Sequence, residues 1–185
     1  MSMNMPHHNL GNVTWIGAEA LGLPGQRTFR VLAQGNSLSA HLWLEKEQLQ
    51  ALADAIGRML VEIDNSQGLA IPSRTEAVSN PRPPGFPAVP DVEIHVVALG
   101  LRYDPDYDLI ALEAYEHETE EESDEPPTLR CLGSRAQMEA LQLNAIEVVS
   151  AGRPRCPFCG TPLSQAGLPH FCPPMNGHQK LASDE

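Results

Sequence analysis

Three cysteines and two histidines lie close together near the end of the 185-residue chain. Cys156 and Cys159 form a Cys-x-x-Cys pair followed by glycine, and 12 residues separate Cys159 from Cys172. Zinc prefers four nitrogen or sulfur ligands in a tetrahedron, and a Cys-x-x-Cys turn presents two thiolates on one side of a loop. Either His170 or His178 could reach this cluster, and only one is needed. The spacing predicts one Zn²⁺ held by Cys156, Cys159, His170 and Cys172, with His178 as the alternative to His170.

The predicted zinc is structural, because three thiolates make the metal a poor Lewis acid and hydrolytic zinc usually keeps an open position among histidine and carboxylate ligands. Residues 1–12 lack the basic and apolar segments of a secretory signal, so the cysteines indicate a metal site rather than a disulfide framework. The fourth cysteine, Cys131, lies in an apolar strand pattern and is predicted to be a small buried hydrophobe. Residues 153–178 contain few large apolar side chains, so the metal must stabilise this zinc-ribbon-like module.

Two other groups of residues have types that could do chemistry. Residues 104–108 look like the start of a calcium loop, but Leu109 and Tyr115 occupy the positions that need glycine and glutamate. A polar hairpin turn is predicted there. His41 and His95 lie on predicted strands without a nucleophile elbow nearby, so a satisfied or exposed strand histidine is predicted for each. The sequence predicts no catalytic residue.

The elements before this module follow two periods. Thr28–Gln34 alternates apolar and polar residues, which is typical of a half-buried strand. Leu49, Leu52 and Ile56 recur at the spacing of one helix face. The same reading predicts strands at 13–20, 28–34 and 38–44 before a helix at 45–63, and strands at 93–102, 109–115 and 128–132 before a helix at 134–151.

The two halves also match in sequence. Ala20-Leu21-Gly22-Leu23 recurs at residues 98–101, and the helix beginning at Lys46 matches the helix beginning at Arg135, with the same apolar register. The predicted fold is α+β, with a duplicated βββα unit whose strands form one antiparallel sheet or two small packed sheets. Its predicted domains are a body at 1–152 (repeats at about 13–63 and 93–152, joined by a proline-rich linker at 64–91) and a zinc module with its tail at 153–185.

The formal net charge is −12, and only Asp184 and Glu185 of the acidic residues follow residue 152. So acidic a body repels phosphate backbones, which disfavours nucleic-acid binding except through Arg153 and Arg155 in the module. No stretch approaches the roughly 18 consecutive apolar residues of a membrane helix. We therefore expect a cytoplasmic protein that does not insert into a membrane.

Two motifs carry a family resemblance. The run Ala-Gly-Arg-Pro-x-Cys-Pro-x-Cys-Gly at residues 151–160 and the His-x-Cys-Pro and Asn-Gly motifs within 170–177 accompany the duplicated unit. Together they resemble a bacterial repeat family catalogued as domain of unknown function 3090. That family has a His-x-Cys pair at this point, which implies His170 as a ligand. The family often has tyrosine after Asn-Gly, whereas this chain has His178, which keeps the alternative open. The resemblance supports the fold and the zinc but implies no reaction.

Three functions remain to be compared. The expected one is a non-enzymatic, zinc-containing interaction or adaptor protein with a protein partner. The alternative is an enzyme whose active site lies between the two repeats, with a purely structural zinc. The third is nucleic-acid contact through the zinc module. Titratable residues that converge in a cleft between the halves would favour the enzyme, and a flat apolar patch would favour the adaptor.

Overall fold

A computed structural model of the chain describes residues 5–23, 26–66, 80–117 and 125–151. These residues form eight strands and two helices. In chain order they are β1 (His8–Asn12), β2 (Trp15–Leu21), β3 (Thr28–Gln34), β4 (Ser39–Leu44), α1 (Lys46–Ser66), β5 (Val92–His95), β6 (Ala98–Asp104), β7 (Leu109–Tyr115), β8 (Leu129–Ser134) and α2 (Arg135–Ser150). The α+β class is therefore as predicted.

The predicted apolar faces are the buried ones. Phe29, Val31 and Ala33 of β3 point into the core, as the alternating pattern requires. Along α1 the buried stripe contains Leu49, Leu52, Ile56 and Leu60, and along α2 it contains Met138, Leu141, Ala145 and Val149. Each helix thus turns one apolar face inward.

The strands form two mixed sheets of four strands. Sheet 1 has the order β2-β3-β4-β5, and sheet 2 has the order β1-β8-β7-β6. In each sheet three strands are antiparallel, and the fourth strand, β5 or β1, is parallel to its neighbour. The prediction of purely antiparallel sheets is wrong, because these two parallel edge strands come from distant parts of the chain.

The parallel strands cross from one half to the other. Strand β1 precedes β2 but pairs with β8 in sheet 2, and β5 precedes β6 but pairs with β4 in sheet 1. At the crossings, Val13 N–H donates to the carbonyl of Leu132 (2.8 Å) and Val96 N–H donates to that of Trp43 (2.9 Å). The single strand predicted at 93–102 is therefore two strands in different sheets. The break between β5 and β6 contains no glycine or proline. It arises because β5 pairs with a strand of the other half.

A glutamine in the first turn of each helix supports the crossing of the other chain segment. Gln48 accepts from Glu45 N–H (2.8 Å) and donates to the carbonyls of Val96 and Val97. Gln137 accepts from Ser134 N–H (2.9 Å) and donates to the carbonyl of Val13 (2.8 Å), and it completes a capping box with Ser134.

One apolar core contains side chains of both halves. Leu42 and Ile56 of the first half and Leu112 and Leu141 of the second belong to the same buried cluster. Helix α2 also covers the edge of sheet 1, where Asn144 accepts a hydrogen bond from Ala18 N–H (2.6 Å). Neither helix of the described part is long and apolar enough to cross a membrane.

Candidate functional site

The predicted zinc ligands Cys156, Cys159, His170 and Cys172, and the alternative His178, all lie outside the described residues. Within the described ranges, no group of three or more histidine, cysteine or carboxylate side chains could hold a metal ion.

The fourth cysteine occupies a different environment. Cys131 is fully buried in the core, as predicted, and its thiol is free. Burial raises the pKa of this thiol to about 12, because a thiolate is poorly solvated in an apolar surrounding. Cys131 therefore stays protonated at neutral pH and acts as a small core side chain.

The loop that resembles a calcium site is a hairpin turn, as predicted, between β6 and β7. Asp104 Oδ1 accepts from the N–H groups of Asp106 (3.0 Å) and Tyr107 (3.3 Å), so this carboxylate stabilises the turn. Asp108 has a positive φ of 53° and accepts hydrogen bonds from Tyr103 and Arg135. These bonds lower the pKa of Asp108.

A cluster of polar and aromatic side chains lies on the outer face of sheet 1, which faces away from the core. Residues 80–91, which we call the strap, cross this face. At one end Asn80 donates to the carbonyl of Ile16 (2.7 Å). At the other end Asp91 accepts from both the N–H (2.8 Å) and the hydroxyl (2.7 Å) of Ser39. These hydrogen bonds lower the pKa of Asp91. The part of the predicted linker from Asn80 to Asp91 is thus fixed to the sheet at both ends.

The side chain of Phe86 fixes the middle of the strap. Its ring stacks on His41 (6.0 Å between centroids, 7° between planes) and meets Trp15 edge-on (5.3 Å, 70°). The guanidinium of Arg82 lies 4.6 Å from the centroid of the Phe86 ring. Leu32, on the same outer face of β3, is only 1% exposed. The strap therefore gives sheet 1 a second, smaller apolar layer.

Arg30 connects the groups of this face. Its Nε donates to Glu19 (2.7 Å), its Nη1 contacts His41 Nδ1 (3.1 Å), and its guanidinium lies 5.0 Å from the Trp43 ring centroid. A guanidinium has donors only, so His41 Nδ1 must be the acceptor. The ring proton of neutral His41 is therefore on Nε2. Trp43 in turn donates to Glu93.

His41 is buried, at 1% exposure, while His95 is exposed and stacks on Trp43. Burial lowers the pKa of His41, and the positive charge of Arg30 lowers it further. Two buried donors of the face, His41 Nε2 and Trp15 Nε1, have no hydrogen-bond partner among the described residues. The prediction of a satisfied or exposed histidine holds for His95 but fails for His41, because the strap excludes water from its ring.

The outer face of sheet 2 is built differently. Glu113 lies between Arg130 (2.7 Å) and Arg102 (2.9 Å) and pairs with both. At one end of this sheet, His7, Tyr115, His117 and other residues line a cavity of about 50 Å³, room for a few water molecules. Burial, and then the charge of Glu113, raise the pKa of Tyr115.

Sequence reasoning missed the strap and the groups beneath it. A signal was present, since Phe86 is the single aromatic residue within the proline-rich segment 64–91. A large aromatic side chain in a solvated linker would expose apolar area, so it indicates that part of the segment packs on the body. The position of Trp15, near the start of a predicted strand, does not indicate that its ring contacts Phe86.

Within the described part of this face, His41 is shielded from water and already accepts from Arg30. The chain is thus an α+β protein with two mixed sheets, one of which a proline-rich strap covers. The model of the family described as protein of unknown function (DUF3090) matches residues 8–172, and the chain belongs to that family. No curated protein and no solved structure matches it.

Proposed function

We propose that this protein is a non-enzymatic interaction protein, in which an α+β body carries a structural zinc module and binds a protein partner. Cys156, Cys159, His170 and Cys172 would hold the zinc. The Cys-x-x-Cys and His-x-Cys spacings support this ligand set, and so does the family match, which ends at Cys172 and leaves out His178.

The apolar core shared by the two halves is the observation that favours an interaction protein over an enzyme. Side chains such as Leu42, Ile56, Leu112 and Leu141 fill the space between the halves in the described part. An active site there would need a cleft with converging titratable groups. Arginines and glutamates pair with one another on the outer faces of the sheets, and the buried carboxylate of Asp64, in α1, pairs with Arg135 of α2.

We also infer that the body is a duplicated unit of strands followed by a helix. Three pairs of strands support this inference, since β2 and β6, β3 and β7, and β4 and β8 have equal lengths. The two sheets share one order of equivalent strands, and Gln48 and Gln137 support equivalent crossings. The predicted βββα unit would then be extended by one strand, β1 or β5, that pairs with the other half.

Elemental analysis tests the zinc. Protein purified without added metal should contain about one equivalent of zinc per chain, and Cys156→Ser should lose it. Cys131→Ala is the matched control, because it removes a thiol from the core and should leave the zinc in place. A metal-free wild-type protein with three reactive thiols would refute the module.

Partner capture and unfolding test the interaction role. Proteins from native lysate that bind wild type and Cys131→Ala but not Cys156→Ser would identify a partner that needs the zinc module. The body of Cys156→Ser should still unfold in one cooperative transition, because the described residues form an apolar core of their own. Identical capture by all three baits would contradict a role for the module in binding.

A further inference from the structure

The ring of Phe86 occupies a slot on the outer face of sheet 1 whose walls suit a planar ring. His41 lies parallel to it, Trp15 meets its side, and Arg82 lies over it. Such a slot recognises one aromatic ring by stacking and edge contacts. Phe86 is therefore an occupant supplied by the chain itself.

Phe86 fits the shape of this slot but not its hydrogen-bonding groups. Trp15 Nε1 and His41 Nε2 are buried donors without partners in the described part of the chain, and each belongs to a ring that contacts Phe86. A phenyl ring has no acceptor to offer them. A buried donor without a partner is unfavourable, so an occupant with acceptor atoms would bind more favourably than Phe86 does.

The charged groups around the slot are the guanidinium groups of Arg30 and Arg82 and the carboxylates of Glu19 and Glu93, so the unpartnered donors, and not a net charge, select the occupant. Arg30 contacts His41 directly, and Arg82 stacks on Phe86. Glu19 pairs closely with Arg30 and lies 3.6 Å from Arg82, so one carboxylate is shared by two guanidinium groups. Within the described residues Arg82 also donates to the carbonyl of Pro87 (3.2 Å), and a guanidinium can bind a carboxylate through more than one N–H.

We propose that the slot beneath the strap is a binding site for a small aromatic carboxylate. The ring of the ligand takes the place of Phe86, and its carboxylate oxygens accept from Trp15 Nε1–H and His41 Nε2–H. The site lies on the body and does not depend on the proposed zinc module.

Phe86 competes with this ligand. Asn80 and Asp91 fix the ends of the strap to the sheet, so the middle of the strap must lift for the ligand to enter. A site that is open in only a fraction of the molecules shows an apparent affinity reduced by that fraction. Removing the Phe86 ring should therefore tighten binding without any new contact.

Calorimetric titration of the full chain with benzoate tests the site. We expect Phe86→Ala to bind benzoate about tenfold or more tightly than wild type does. Phe86→Leu provides the same comparison if the alanine variant does not fold. Benzamide, a neutral ring of the same size, and inorganic phosphate, an oxyanion without a ring, should each bind at least about tenfold more weakly than benzoate.

The donors are tested by removing one N–H at a time in the Phe86→Ala background. Trp15→Phe keeps a ring but loses the unpartnered donor, and it should weaken benzoate binding about tenfold. Trp43→Phe is the matched control, because this tryptophan on the same face already donates to Glu93, and it should leave the affinity unchanged. Equal effects of the two variants, equal binding of benzamide or phosphate, or no binding of benzoate to any variant would each overturn the proposal.

Discussion

The two sheets have the same order of strands, but the side chains on their outer faces differ in chemistry. Equivalent positions on the central rows of their antiparallel strands carry different chemistry, as the pairing registers show. In sheet 1 the row is Gly17, Leu32 and His41, and in sheet 2 it is Gly100, Glu113 and Arg130. The first row is apolar with one neutral histidine, and the second is an ion pair.

The strap accounts for this difference. It covers the row of sheet 1, so Leu32 and His41 are almost fully buried. The row of sheet 2 is more accessible, since the side chains of Glu113 and Arg130 are 12% and 17% exposed. Buried rows require apolar or neutral groups, whereas charges are tolerated where water reaches them.

The core-facing side chains, in contrast, have the same character in both sheets. Val31 and Leu42 of sheet 1 correspond by register to Leu112 and Cys131 of sheet 2, and all four are fully buried. The inward-facing residues therefore determine the fold, and the outer faces are free to differ. The two sheets thus share the chemistry of their core-facing side chains and differ in that of their outer faces.

The largest expected effect tests whether the halves share one core. Leu52→Ala in α1 and Leu141→Ala in α2 remove equivalent, buried side chains. Each should lower the free energy of unfolding by about 2–5 kcal/mol. Denaturant unfolding followed by circular dichroism should show one transition for both variants. If one half unfolded before the other, the single core would be wrong.

A smaller, matched effect is expected at the crossings. Gln48→Ala and Gln137→Ala each leave carbonyls of a crossing and an N–H at a helix start without a partner. Each should cost about 1–2 kcal/mol of unfolding free energy. Gln50→Ala, at a partly exposed helix position where the amide donates to Asp54 (3.0 Å), is the control and should change the stability by less than about 0.5 kcal/mol. Unequal effects at the two glutamines would show that the crossings are not equivalent.

The sequence predicts those parts of the fold that depend on local pattern. Thr28–Gln34 and Leu109–Tyr115 match the predicted strands end to end, because turn residues precede each apolar-rich segment. The prediction from the sequence misses β1, whose segment His-Asn-Leu-Gly-Asn has little β propensity. It also misses the break at Val96, where the chain changes sheets. Both depend on pairing with residues of the other half, which no local window contains.

The candidate site on sheet 1 could not be predicted for the same reason. Its rings come from three separate parts of the chain, at Trp15, His41 and Phe86, and its burial depends on the path of the strap. Cys131 was predictable, since an apolar strand pattern surrounds it. The zinc ligands stay a prediction from spacing alone.

A further comparison uses the charged row of sheet 2. Glu113→Gln leaves Arg102 and Arg130 without their shared carboxylate, and it should lower the unfolding free energy by about 1 kcal/mol. The loss should shrink as salt is added, because screening weakens partly exposed pairs. Arg102→Gln is the control, and this more exposed change should cost less. A loss that is independent of salt in urea unfolding would contradict an electrostatic role.

The smallest expected effect is a pH dependence specific to sheet 1. Burial and Arg30 lower the folded-state pKa of His41, against the opposing charges of Glu93 and Glu19, while Arg82 lowers it slightly more. Between the lowered folded value and about 6.5, the unfolded chain holds a proton on His41 that the folded chain does not. Unfolding free energy therefore rises with pH through that window, and the contribution is lost as pH falls below about 6.5.

His41→Phe removes this titration and keeps a planar ring against Phe86. Its unfolding free energy, measured in urea at several values between pH 5 and pH 7.5, should fall less on acidification than that of wild type. His95→Phe, at the exposed ring beside Trp43, is the matched control and should retain the wild-type slope. The remaining slope includes the lowered pKa values of Asp91 and Asp108, whose effects begin at lower pH and occur in all three proteins. If His41→Phe and wild type had the same slope, His41 would not be a neutral group sealed under the strap, and the contrast between the two outer faces would lose its electrostatic basis.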